Sequence, residues 1–296
     1  MRSTFNSAST LLQIIMRSYS AKKTKPIIFR ILKSAFYDEN PIALIRNHLL
    51  FCRSNNEIKR IFNIDTFLPN YRYFQNTIHP TLSPALRRDI ILFHQSAIQK
   101  ILKHNIQNRM SIIWQEELGG HKCTVTVGIS SNNYLESELE FSLKMDSTEI
   151  YHLSCMICQG FSLNLDQNVV IFIGRVQGVA DQKDKIRHLS RLCHGISPMT
   201  ILLTVIQGFA IAVKAESICG LRAIYHPYQN NSGLVMDYDK MWHDIGSICE
   251  VGEYHSVRLP IAQKPLCDIA PQHRRRARKR RVFKNRIINI VTTALT

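Results

Sequence analysis

The sequence predicts an α+β fold, in which an N-terminal helical region precedes a mixed, largely antiparallel sheet with helices. Apolar residues first recur at helical spacing, and the apolar period then changes to that of half-buried strands. Toward the C-terminus, predicted helices and strands alternate, an order typical of α+β proteins. The predicted boundaries are 1–25 for a disordered basic tail, 26–108 for the helical region, 109–270 for the sheet domain and 271–296 for a basic C-terminal helix.

The helical region carries apolar residues at intervals of three to four positions. One helix is predicted to begin at Ser83-Pro84, because serine caps helix N-termini and proline suits the first helical position. Its apolar face consists of Leu86, Ile90, Phe93, Ala97, Ile101 and Leu102.

Strict alternation of apolar and polar residues predicts two half-buried strands, 123–129 and 139–145. Residues 150–163 are a third candidate, and the continuously apolar run 169–173 predicts a strand that is buried on both faces. These segments are predicted to form an antiparallel meander.

A long helix near 198–216 is predicted next, with Ser197 as its N-cap, Pro198 at its first position and Gly220 just past its end. The charged stretch 181–191 is interpreted as the connection that leads into it. The later predicted elements are a strand near 221–225, a helix over 238–245 and a strand near 256–261. Because a helix joins the strand near Ile173 to the one near Tyr225, these two strands are predicted to be parallel.

The composition is that of a folded globular protein, with 45% hydrophobic and 20% charged residues over 296 positions. The apolar run 11–16 is too short for a signal peptide, and the charge-free stretch 195–213 fits a buried helix better than a membrane span. We therefore expect a cytoplasmic protein, with the inner-membrane surface as a peripheral location that its basic character allows.

Two clusters of chemically active side chains are interpreted as structural. Cys155 and Cys158 form a C-x-x-C pattern, but on a strand their thiols would point to opposite faces, so we predict packing and no metal site. Glu116 and Glu117 could supply a general base, yet the following glycines favour the solvated end of a helix with a glycine C-cap.

The most informative segment is the basic run near the C-terminus. It carries nine cationic side chains in thirteen residues, and without them the formal net charge would fall from +16 to +7. The predicted polyanion-binding residues are Arg274, Arg275, Arg276, Arg278, Lys279, Arg280, Arg281, Lys284 and Arg286. Such a concentration of charge favours binding to RNA, anionic lipid or lipopolysaccharide. The apolar residues that follow would also suit a basic amphipathic helix at a membrane surface.

A second candidate site follows the buried strand, at Arg175-Val176-Gln177-Gly178-Val179-Ala180. The segment resembles the R-x-x-G-x-G/A loop of GCN-related N-acetyltransferases, and the predicted order of strands and helices also resembles that fold. The resemblance implies that Arg175, Gly178 and Ala180 would bind the pyrophosphate of coenzyme A or an acyl-CoA. The ordinary interpretation is a surface exit from a strand.

Several segments together resemble the VirK/YbjX family of proteobacterial proteins over about residues 110–285. The residues that carry the resemblance are Ile173 to Gly178, Cys193-His194-Gly195-Ile196-Ser197-Pro198, Tyr238 to Trp242, Arg258-Leu259-Pro260 and the Arg-rich run. The resemblance implies a virulence-associated bacterial protein that supports the expression or localisation of a surface (outer-membrane) virulence protein and envelope resistance to cationic peptides. It brings no established reaction and no catalytic residue.

The sequence thus leaves three functions open. The first is a virulence-associated accessory factor that acts through a polyanion-binding tail, with a surface virulence protein or its message as partner. The second is an acyl-CoA-dependent acyltransferase, and the third is a protein–protein scaffold. Whether the protein is an enzyme is not decided at this level.

Overall fold

The computed structural model describes residues 78–79, 81–105, 110–130, 137–226, 236–246 and 249–296. The chain divides into two units, residues 1–99 and 100–296. The predicted basic tail 1–25 and the predicted helices before residue 78 lie outside the described residues. The limits drawn from the sequence at residues 25, 108 and 270 therefore stay predictions.

Helix α1 spans Pro84–Asn105. It begins as predicted, since Pro84 occupies the first turn and the Ser83 hydroxyl accepts a hydrogen bond from the Leu86 amide at 3.2 Å. A helix at this end of the chain is therefore confirmed.

An eight-stranded sheet lies within the described part of the second unit, in the order β1-β2-β3-β4-β5-β6-β8-β7. Its strands are β1 Met110–Leu118, β2 His121–Ile129, β3 Leu139–Met145, β4 Thr148–Gln159, β5 Val169–Gly178, β6 Ser217–Leu221, β7 Cys249–Val251 and β8 Tyr254–Arg258. Strands β5 and β6 are parallel, and the other described pairs are antiparallel. The α+β class and the antiparallel meander are confirmed. A parallel pair is also present, but its second strand is β6 and not the predicted strand near Tyr225.

The first strand was not predicted, because a β-bulge hides its alternation. The register with β2 shifts between Ile112 and Trp114, so that Ile113 and Trp114 are both buried while Ile112 is exposed. The glycines after the strand form a hairpin turn, with φ of 58° at Gly119 and 80° at Gly120. The interpretation of Glu116 and Glu117 as a helix end is therefore wrong.

Four later predictions need correction. Strand β5 continues to Gly178, well past Ile173, because its last residues pair with β4. The charged stretch 181–191 forms most of a helix, and the predicted strand 221–225 lies mainly in a 3-10 turn after β6. Gly220 lies within β6 beside the Trp242 ring, so it does not end a helix.

The helices of the second unit are α2 Lys183–Leu192, α3 Pro198–Ala212, α4 Tyr238–Asp244 and α5 Pro271–Leu295. Helix α3 starts as predicted, since Ser197 caps it by accepting from the Thr200 amide at 3.2 Å. It packs on β3, β4 and β5, with the rings of Phe141 and Phe209 edge to face at 5.3 Å.

Helix α5 packs along α3 and against β1. Its buried residues, Phe283, Ile287, Val291 and Leu295, recur every four positions and so form one stripe. The stripe reaches Trp114, whose ring meets Phe283 edge to face at 6.4 Å. In the part of the chain that the structure describes, no helix is both long enough and apolar enough to cross a bilayer.

Candidate polyanion-binding site

The predicted basic helix is present as α5, and its cations divide among several surroundings. Arg, Lys and Ala are strong helix formers, so the run 274–286 propagates a helix readily. Positive charge in the first turn opposes the helix dipole. Arg274 compensates by donating to the carbonyls of Ile269 at 2.8 Å and Cys267 at 3.0 Å, just before the helix.

Two arginines of α5 converge on the turn 193–195 that joins α2 to α3. The Nε atoms of Arg276 and Arg280 each donate to the His194 carbonyl oxygen at 3.0 Å. Arg280 also donates from Nη2 to the Gly195 carbonyl at 2.9 Å. Both cations lie near the C-terminal end of α2, which carries the negative end of a helix dipole.

Backbone conformation explains why this turn can receive them. His194 and Gly195 have φ of 57° and 77°, which is the left-handed conformation that commonly ends a helix. The Gly195 amide donates back to the Ser190 carbonyl at 2.7 Å, so the turn closes α2 and directs its own free carbonyls toward α5. Gly195 also leaves room for Arg276, because a Cβ at this position would overlap that guanidinium.

Most of the positive charge on α5 is not cancelled by an acidic side chain of the described residues. Of the nine cations, Arg286 is the one that forms an ion pair with a described residue, namely Glu116 on β1. Arg281 donates to the Lys264 carbonyl, which is neutral. Burial lowers the pKa of Arg280, and the neighbouring Arg276 lowers it further.

A basic groove lies between one flank of α5 and the end of α2 with its following turn. It encloses about 550 Å³, and its lining includes Arg191, His194, Gln272, Arg275, Arg276 and Lys279. Arg278 is also exposed on α5, and neither it nor Arg275 nor Lys279 donates a hydrogen bond to a described residue. We call Arg275, Arg278 and Lys279 the outer cations.

The apolar stripe predicted for a membrane surface is in fact part of the core. Phe283 is 4% exposed and Ile287 and Val291 are fully buried, so these side chains are not available to enter a bilayer. Val282 alone of the predicted stripe is well exposed, at 67%, while Ile288 is partly buried. What the first half of α5 exposes is mainly positive charge.

The residues predicted to bind coenzyme A are not on a helix-capping loop. Arg175 and Gly178 lie in β5, paired with β4, and Ala180 lies in the turn before α2. The Arg175 Nε donates to the Gln177 side chain at 2.9 Å. Gly178 faces Tyr151 and Ile186, so its lack of a side chain also serves packing. Coenzyme A binding at these residues stays a prediction.

The C-x-x-C cysteines are both buried free thiols on β4, and burial raises their pKa. No group of three or more His, Cys, Asp or Glu side chains suited to a metal ion occurs among the described residues.

Arg191 and Lys264 join the site although sequence reasoning did not select them. Arg191 stands in the last turn of a helix that was not predicted, and only the packing of α5 brings it beside the basic run. The glycine at 195 was the available signal, since a glycine after a helical segment marks a C-terminal turn with free carbonyls.

Comparison with known proteins identifies a family. The family model described as "Protein of unknown function (DUF535)" matches residues 33–291. The chain is 25% identical over 118 residues to the "Uncharacterized protein YbjX" of Escherichia coli (strain K12), an alignment that covers 37% of this chain and 36% of that protein. The chain thus spans little more than a third of the length of this curated relative. No solved structure matches.

Proposed function

Since this chain belongs to the DUF535 family, we propose that it acts as a polyanion-binding protein that contacts RNA through the basic groove and the outer cations. The family match and the YbjX relative confirm the VirK/YbjX resemblance read from the sequence. Neither carries an established activity, so the proposal depends on the geometry of α5.

The observation that carries the proposal is the way the arginines are held. Carbonyl oxygens of residues 194, 195 and 264 fix three guanidinium groups without adding negative charge. Had these groups been paired with carboxylates, the field outside the helix would be weak. A fixed cluster of uncompensated cations attracts phosphates over a distance set by ionic strength.

RNA is favoured over a bilayer because the apolar face of α5 is used in the core. Interfacial helices bind membranes by burying their apolar face among the lipids, and Phe283 and Ile287 are not free to do so. Among the described residues that line the basic groove none is Phe, Tyr or Trp, and the one ring is that of His194. We therefore expect contacts to phosphates and little dependence on base sequence.

The family resemblance suggests where such binding would matter. We propose that the protein is an accessory factor for production of a bacterial surface virulence protein, with the message of that protein as the RNA. A peripheral location at the inner membrane would then follow from the partner and not from the helix itself.

The test compares two triple variants of equal charge. Arg275→Gln/Arg278→Gln/Lys279→Gln removes the outer cations, and Lys122→Gln/Lys183→Gln/Lys214→Gln removes three exposed lysines outside the groove. Fluorescence anisotropy with a labelled single-stranded RNA is followed as salt is raised. The outer variant should bind more weakly, with a slope of log K against log salt that is shallower by about 2, since each lost phosphate contact on a single strand removes about 0.7.

If binding depended on net charge alone, both variants would lose the same amount of RNA affinity. That result would overturn the proposal. The same variants are also tested for binding to vesicles that contain anionic lipid, which is the alternative partner. If vesicles bind through the outer cations while RNA does not, the proposed partner is wrong.

A further inference from the structure

A second cavity lies on the other flank of α5, between this helix, the first half of α3 and the segment 261–269. It encloses about 480 Å³, which is within the range of sites for small organic ligands. The residues of α5 that line it, Ala277, Arg280, Arg281, Lys284 and Ile288, form a stripe distinct from the outer cations. We call this cavity the α3–α5 cleft.

Four cations line the α3–α5 cleft: Lys264, Arg280, Arg281 and Lys284. Backbone carbonyls hold Arg280 and Arg281, as described above, and these acceptors add no negative charge to the cleft. The carboxylate in the lining is Asp244, which forms no ion pair within the described residues. The lining therefore carries a clear excess of positive charge.

Among the four cations, Lys284 gives the strongest indication that the cleft binds an anion. It is partly buried, and no described residue accepts a hydrogen bond from its ammonium group. Burial lowers its pKa, and the charge of Arg280 contributes. Removing an ammonium group from water without supplying an acceptor is unfavourable, so an anion that enters the cleft would offset that cost.

The opposite wall of the cleft is largely apolar. Its apolar side chains are Ile196, Met199, Leu203, Ile245 and Ile261, and Ile288 of α5 extends this apolar surface. Simple inorganic phosphate would use the cations and leave this wall in contact with water. A ligand that uses both walls has a charged head and an apolar body.

We infer that the α3–α5 cleft binds an amphipathic organophosphate, with its phosphate at Lys284, Arg280 and Arg281 and its apolar part against Met199 and Leu203. A phosphate matches the site better than a carboxylate, because several cations meet in one place and a doubly charged head can compensate more than one of them. The cleft lies on the other flank of α5 from the basic groove, and the outer cations do not line it.

The experiment uses calorimetry on the full chain with four soluble compounds. Dihexanoyl phosphatidic acid supplies a lipid phosphate, 1-naphthyl phosphate a non-lipid one, glycerol 3-phosphate the head alone, and dihexanoyl phosphatidylcholine a zwitterionic control. At least one of the two amphipathic phosphates should bind more tightly than glycerol 3-phosphate. Tighter binding of dihexanoyl phosphatidic acid would indicate a lipid as the ligand, and tighter binding of 1-naphthyl phosphate would indicate a soluble organophosphate. Phosphatidylcholine should bind weakly.

Lys284→Met should weaken the amphipathic phosphates by about tenfold or more, since a charge-assisted hydrogen bond is lost. Lys279→Met on the outer flank of the same helix is the matched control and should leave the binding of these compounds to the cleft unchanged. Met199→Ser should weaken the amphipathic compounds and not glycerol 3-phosphate. Thermal melts of each variant show that it is folded.

Equal binding of all three phosphates, or unchanged binding by Lys284→Met, would overturn the inference. The outer triple variant should still bind these compounds even where it has lost RNA. Failure of the cleft and failure of the RNA surface are therefore distinguishable.

Discussion

Arg280 donates its Nε proton to the carbonyl oxygen of His194 at 3.0 Å, joining two residues that are 86 positions apart in the chain. The contact links the end of α2 to the basic helix and fixes a guanidinium group that burial would otherwise penalise. Arg280 lines the α3–α5 cleft, whereas Arg276, which donates to the same carbonyl, lines the basic groove on the other flank of α5.

A methyl group at residue 195 should disturb this junction. In Gly195→Ala, a left-handed backbone at φ 77° would carry a Cβ that overlaps Arg276. We expect a loss of about 1 kcal/mol for the backbone conformation and a further loss for the displaced arginine. Urea unfolding measures the difference.

Gly246→Ala is the matched control for that variant. Its φ is 88°, and among the described residues beyond its chain neighbours no atom lies within 4 Å of a Cβ built there. It should show the backbone cost alone. If the two variants were destabilised equally, the contact between Gly195 and Arg276 would have no energetic importance.

The apolar stripe of α5 should behave as core. Phe283→Ala should lower the free energy of unfolding by about 3–5 kcal/mol, because a buried aromatic ring leaves a cavity beside Trp114. Val282→Ala, one residue earlier and 67% exposed, should change it by less than about 0.5 kcal/mol. Chemical denaturation of both variants checks this, and similar small effects would mean that α5 is not anchored as the structure shows.

Lys284 should make stability depend on pH in the alkaline range. Burial lowers its pKa in the folded state, so above that lowered value the unfolded chain binds more protons than the folded one. Stability then rises with pH until the unfolded pKa of about 10.4 is reached. Below the pKa that Lys284 has in the folded state, its destabilising contribution to the free energy of unfolding is fully present.

The measurement is the stability of the wild type minus that of Lys284→Met between neutral pH and about pH 10. This difference should increase with pH. The stability of Lys279→Met, on the exposed flank, should change with pH in the same way as that of the wild type. A difference for Lys284→Met that stays constant with pH would contradict the assigned burial of the amine.

The coenzyme A hypothesis makes a separate prediction. If the Arg175 segment binds the pyrophosphate, coenzyme A at ten times its Kd should stabilise the protein by about 1.4 kcal/mol, and Arg175→Ala should abolish the gain in Tm. Arg222→Ala, another partly exposed arginine of the sheet domain, is the control and should retain the gain. If coenzyme A does not raise the Tm of the wild type, the coenzyme A hypothesis is rejected.

The regular strands and helices could be read from the sequence because local pattern specifies them. Alternation gave β2 and β3, and Ser83-Pro84 and Ser197-Pro198 gave the first turns of α1 and α3. Prediction went wrong where a local irregularity or a distant partner decided the outcome. The bulge at Ile113 broke the period of β1, and pairing with β4 extended β5 as far as Gly178.

The density of cations between residues 274 and 286, and the family to which the chain belongs, were determined by the sequence alone. Only the tertiary structure decided how those charges are used. Packing of the Phe283 stripe against α3 and β1 set the rotation of α5. That rotation turned Arg276 and Arg280 toward the carbonyls of residues 194 and 195, and it placed Lys284 in a cleft. Charge is a property of composition, whereas its compensation depends on which neutral or acidic groups folding brings within hydrogen-bond distance.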